Sequence, residues 1–256
     1  MIRVTDYPLL VFVIAFVVLL LSITAGATLL AKFQKPDQRS RDNLSLVLSA
    51  TLTLLGLIIG FSFSMAVGRY DQRKNLEEEE ANAIGTEYVR ADLLPAEDAA
   101  RVRALLKDYL GQRILFYTTR DAEQVRRIDA RTAQLQNELW SAVVHGVQAT
   151  PQLPPVTLAA AGMNDVLNSQ GYAQAAWWNR IPPAAWLLML AIAVLSHLLV
   201  GYGVQNFTSE RAFLLVLPLV MAIAFFLIAD IDSPRSGVIR VQPQNLISLA
   251  ESLGPK

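Results

Sequence analysis

The sequence predicts an all-α integral membrane protein, and three observations lead there. Apolar residues make up 53% of the chain against 17% charged, and the imbalance is concentrated in a few long uncharged runs. Each run is long enough to cross a hydrocarbon core of about 30 Å as a helix. Between the runs, apolar residues recur at helical spacing, with no strand-like alternation of useful length and no repeat of solenoid period.

Four transmembrane helices are expected, at Pro8 to Ala31, Leu44 to Gly68, Pro183 to Val204 and Ala212 to Ala229. The first run is longer than the apolar region of a signal peptide. The charged stretch Lys32 to Asp42 follows it in place of a small-residue cleavage site, so it reads as a retained span. The second, roughly 37 Å long at helical rise, runs into Arg69 with no Gly-Pro or Asn-Gly breaker. Its helix is therefore expected to continue from lipid into water. Short connections, Lys32 to Asn43 and Gln205 to Arg211, make each pair of spans a hairpin. The predicted organisation is a first transmembrane hairpin (1–68), an inserted helical extramembrane domain (69–180), a second hairpin (181–232) and a C-terminal tail packing on the inserted domain (233–256).

The insert reads as helices throughout. Asp71 to Asp92 contains no proline, and Leu94-Pro95 ends it, since proline suits the first turn of a new helix. Ala96 to Thr119 carries Val102, Leu105, Leu106, Tyr109, Leu110, Ile114 and Leu115 near 3.6-residue spacing. Asp121 is a good cap for a third helix reaching about Val147 through Ile128, Leu135, Leu139 and Val143. The segment Thr150 to Pro155 breaks it. A last helix from about Val156 leads to Trp177-Trp178-Asn179-Arg180, an aromatic and basic cluster suited to a membrane interface.

Charge and cysteine content narrow the function. A net charge of zero gives no argument for nucleic acid as a partner. The absence of cysteine excludes disulfides, thiolate metal sites and a cysteine nucleophile. Two distant histidines, with no Walker loop and no His-Glu-x-x-His, give no positive support for an enzyme, a cofactor or a bound metal. Lys32, Lys35, Arg39 and Arg41 lie on one side of the spans; Arg3, Arg69, Arg73, Lys74, Arg180, Arg235 and Arg240 lie on the other. This near-balance slightly favours a cytoplasmic insert with both termini inside.

One helical stripe of the second span joins Thr53, Leu57, Phe61, Ser64, Gly68, Gln72, Asn75 and Glu79, passing from apolar to polar to acidic. Small residues such as Gly60 and Ser64 suit contact with other helices. The plainer reading is that Leu57 and Phe61 pack between helices, and that most of Glu77 to Glu80 is a solvated face.

Gly60-Phe61, then Arg69-Tyr70, then Asn75-Leu76, on one ungapped helix, resembles the pore helix of bestrophins. Asn179-Arg180-Ile181-Pro182 resembles the bestrophin lead into its second hairpin. Asp230 to Leu246, DIDSPRSGVIRVQPQNL, resembles the acidic, proline-containing segment that follows the bestrophin membrane domain. The layout is similar to a bacterial bestrophin-like family. The resemblance implies a homopentameric ion channel of the bacterial inner membrane, surrounded by the lipid bilayer and passing inorganic ions. Carried over from the Gly60-Phe61 anchor, its pore neck becomes Thr53, Leu57 and Phe61, with Thr53 departing from the apolar pattern; Gln72 and Glu79 would line the vestibule. Where calcium-activated members have a rich carboxylate cluster, this chain has only Asp230 and Asp232, few ligands for an ion that takes six to eight oxygens.

Two other functions fit the same features. A non-conducting membrane scaffold or sensor would use the helical insert to bind a partner protein. A transporter fits less well, because no span is visibly broken in its middle. His197, ionisable and inside the third span, is a functional candidate, although a neutral histidine can bond a neighbouring helix. His145 reads as structural. Tyr88, Asp92, Trp140, Asn164 and Asp165 suit subunit contacts or buried networks.

Overall fold

The computed structural model describes residues 4–30, 38–149, 154–204 and 207–254, and every regular element among them is helical. The helices are α1 (Pro8–Ala25), α2 (Gln38–Arg90), α3 (Ala96–Thr118), α4 (Ala122–Ala149), α5 (Pro154–Trp178), α6 (Pro183–Gly203), α7 (Phe207–Asp232) and α8 (Gln244–Ser252). The connections expected to close the two hairpins are shorter than expected: residues 38–43 already form the first turns of α2 and residues 207–211 those of α7, since neither stretch holds a proline or glycine to stop a helix. The rest of those connections, 32–37 and 205–206, and most of the proline-rich break, 150–153, lie outside the described residues.

Stretches within Pro8–Thr28, Asp42–Leu93, Val156–Gly203 and Leu214–Asp232 are long and apolar enough to cross a membrane. Helix starts follow local chemistry. Proline opens α1, α5 and α6, where its missing N–H costs nothing. The Asp121 carboxylate accepts a 2.7 Å bond from the Gln124 amide at the start of α4, the geometry of an N-cap. Pro218 lies inside α7, which nonetheless runs on to Asp232.

The chain divides into two compact units. The first comprises Met1–Arg69 and Arg180–Arg240, and in it α1 packs on both α6 and α7. Its core holds Leu19 and Ile23 of α1, Met189 and Ala193 of α6, and Ala222, Phe225 and Ile228 of α7. Two glycines set the closest approach. A Cβ at Gly201 would lie 2.0 Å from the Ile23 carbonyl oxygen, and one at Gly26 would lie 2.1 Å from that of Leu198. The α6 backbone therefore presses directly on the α1 end, as small residues permit between membrane helices. There α1 passes into a π-helical turn, Gly26–Leu30.

The second unit comprises Tyr70–Asn179 and Val241–Lys256. Here α4 packs on α3 and α5 around Val102, Leu106, Tyr109, Leu135, Leu139, Val143, Met163 and Val166. Trp177, expected at a membrane interface, is instead buried in this core, with its ring centroid 4.9 Å from that of Phe116. Trp178 is exposed. The tertiary reason is register: Trp177 follows Val166 and Ala173 on the inward face of α5, and its neighbour points outward.

Candidate functional site

In the first unit, Thr53, Leu57 and Phe61 project from one face of α2 at one-turn intervals, and all three are exposed; Leu57 is 54% and Phe61 62% accessible. Ser64 and Gly68 continue that face and are exposed too. Only Leu55, Ser62 and Ala66 of this stretch are buried, on the opposite side. The Thr53 hydroxyl donates to the Ser49 carbonyl at 2.8 Å, which turns a polar side chain back onto its own helix. An uncharged helical face that the rest of its own chain leaves uncovered has only lipid, another protein chain, or water in a pore to meet.

In the second unit, Gln72, Asn75 and Glu79 are exposed on α2. The glutamate run expected to be mostly a solvated face divides evenly: Glu78 and Glu79 are exposed, whereas Glu77 and Glu80 are buried. Glu77 accepts bonds from the Leu246 amide at 2.9 Å and the Asn245 side chain at 2.7 Å. Its carboxylate thereby sits at the N-terminus of α8, where negative charge is favoured. Glu80 pairs with Arg113 and accepts a 3.2 Å bond from the Tyr117 hydroxyl. Arg113 also lies over the Phe116 ring, 4.4 Å from its centroid. Burial first, and the Glu80 charge second, raise the Tyr109 and Tyr117 hydroxyls above the ordinary phenol range, so both remain protonated; Tyr117 donates to Glu80, and Tyr109 accepts from the Gln136 side chain at 3.5 Å. Buried Arg73 donates to the Ala176 carbonyl at 3.3 Å.

These buried charges were missed from sequence, although a signal existed. Arg113 continues the core register of Val102, Leu106, Tyr109 and Leu110, and a charge at a core position demands a buried partner. Arg73, Glu77, Glu80, Ile84 and Glu87 share three- and four-residue spacing in the same way.

The remaining candidates resolve locally. Asp230 accepts from the Val238 and Ile239 amides at 2.7 and 2.8 Å. The turn between them requires Gly237, whose Cβ would fall 2.2 Å from the Asp230 carbonyl oxygen. Asp232 accepts from Arg180 at 2.9 Å and from the Ile181 amide, and Arg180 also donates to Asp6 at 2.8 Å. His197 is buried, yet its Nδ1 meets the Ala193 carbonyl of its own helix at 2.7 Å, so this bond does not reach a neighbouring helix. His145 Nδ1 lies 2.8 Å from Asp98. Arg103 pairs with Asp92 and stacks 5.4 Å over the Tyr88 ring, and Asp165 pairs with Arg90 at 3.8 Å. Trp140 and Asn164 are exposed.

Helices as the sole regular elements among the described residues, four of their stretches of membrane length and one of these bearing an uncovered face, define a multi-span helical membrane protein. The model of the Bestrophin-like domain matches residues 14–246, and the chain belongs to the bestrophin-like family. Its fold is similar to that of a bacterial bestrophin homologue from Klebsiella pneumoniae, at 14% identity and a TM-score of 0.64, covering 96% of this chain and 95% of that one. A single-residue variant of that homologue gives 13% identity and a TM-score of 0.64 over 96% and 97%. A further similar structure, described only as a substituted membrane protein, gives 12% identity and a TM-score of 0.65 over 96% of each chain. At such identities the likeness is one of fold. Comparison with curated proteins gives no match.

Proposed function

We propose that this chain is the subunit of a homopentameric ion channel of the bacterial inner membrane. In this reading the second span lines the path: Thr53, Leu57 and Phe61 form the neck, and Gln72 and Glu79 line the vestibule. The observation that carries the proposal is the uncovered face of α2, on which all five residues are exposed. Family membership supports it, because bestrophins are ion channels. Five phenylalanine rings around an axis would make a constriction that water wets poorly, so a hydrated ion meets a dewetting barrier there.

Truncation lowers such a barrier. Phe61→Ala, and more strongly Leu57→Ala combined with Phe61→Ala, is expected to raise ion flux in reconstituted vesicles while the oligomer stays intact. A subunit count on the detergent-purified protein belongs to the same experiment. If these side chains only pack between helices, truncation should instead loosen the assembly, at a cost of about 2–5 kcal/mol per site before discounting for lipid. Intact oligomers with unchanged flux would favour a non-conducting scaffold, and a monomer would exclude the five-fold path.

A further inference from the structure

Glu87, in the helical unit, is fully buried near the end of α2, and neither carboxylate oxygen has a hydrogen-bond partner among the described protein atoms. It fits because α5 offers a gap there: a Cβ at Gly162 would lie 2.1 Å from Glu87 Oε2 and 2.6 Å from Arg90 Nη1. Both side chains therefore converge on the same point of the α5 backbone. Arg90, one turn beyond Glu87 on α2, forms its ion pair with Asp165 of α5 at 3.8 Å. This is a tie between two helices, made by a cation that has a second carboxyl group beside it.

We propose that Glu87 is a proton-operated switch that decides which carboxylate Arg90 holds. With Glu87 neutral, Arg90 pairs with Asp165 and ties α5 to α2. With Glu87 ionised, a buried unpaired charge is costly, and the nearest relief is the cation at i+3 on its own helix. Arg90 then turns to Glu87, and Asp165, being 69% exposed, is released to water. The charges acting on Glu87 are Arg90 from α2 and Asp165 from α5. From α3, Arg103 is committed to the Tyr88 carbonyl and Asp92. Burial pushes the Glu87 carboxyl up to about 8, opposed by Arg90 and aided by Asp165, so the exchange falls within reach of ordinary pH changes. Any consequence for ion flow rests on the channel reading; the switch itself does not.

Hydrogen exchange of α5 in the purified full-length protein, corrected for intrinsic rates between about pH 6 and pH 10, tests this separately from conduction. Wild type is expected to lose protection of α5 about fivefold around a midpoint near 8. Glu87→Gln should hold α5 protected across the range. Asp165→Asn, a surface change that leaves the core untouched, should give the low protection at every pH with no midpoint. A wild type flat with pH, or a midpoint surviving in either variant, would overturn the proposal.

Discussion

Glu80 and Arg113 show what a residue's position does to its energetics. Both side chains are fully buried, so each charge is held in place by the other, by the Tyr117 hydroxyl and by the Phe116 ring. Breaking a buried pair by removing one partner is strongly destabilising, whereas replacing both by apolar residues of similar volume is often neutral. Glu80→Ala is therefore expected to lower stability by about 3–5 kcal/mol, and Glu80→Leu with Arg113→Met by much less. Unfolding of the detergent-purified variants, followed by loss of helical signal, measures both. A double variant as unstable as Glu80→Ala would show that the uncompensated charge is not the cause.

Among the elements, α2 carries most of the functional argument, and much of it is legible in the amino-acid sequence. The stripe from Thr53 to Glu79 follows from the 3.6-residue period alone, and each of its members is exposed. The ends of α3, α4 and α6 are readable too, because proline and an aspartate cap act locally. Helix α8 is not legible: nine residues are too few to establish a period, and its start depends on the Glu77 carboxylate. If Glu79 lines a vestibule as proposed, five copies concentrate negative potential along the path and favour cations. Reversal potentials under a salt gradient should then show cation preference in wild type, reduced in Glu79→Gln. Anion preference in wild type would defeat the electrostatic argument.

For the whole molecule, the expected topology places residues 69–180 and both termini in the cytoplasm. Reporter fusions near Gln152 and at the C-terminus should report the cytoplasm and one near Gln38 the exterior; the reverse pattern would overturn this orientation and weaken the proposed channel function. Sequence by itself determined the membrane-length helices, because lipid thickness fixes a minimum apolar length. It also determined where α1, α3, α4 and α6 begin, through residues whose effect is confined to one turn, whereas α2 and α7 begin at Gln38 and Phe207, before their apolar runs. Tertiary structure decided which charges are buried and with whom. Periodicity assigns a residue to a face, but the face says nothing of the neighbour across it. Glu77 finds the Leu246 amide 169 residues away, and Glu87 finds the gap at Gly162, only because folding brings those segments together. That is why a run of four glutamates, uniform in sequence, separates into two structural anchors and two exposed charges.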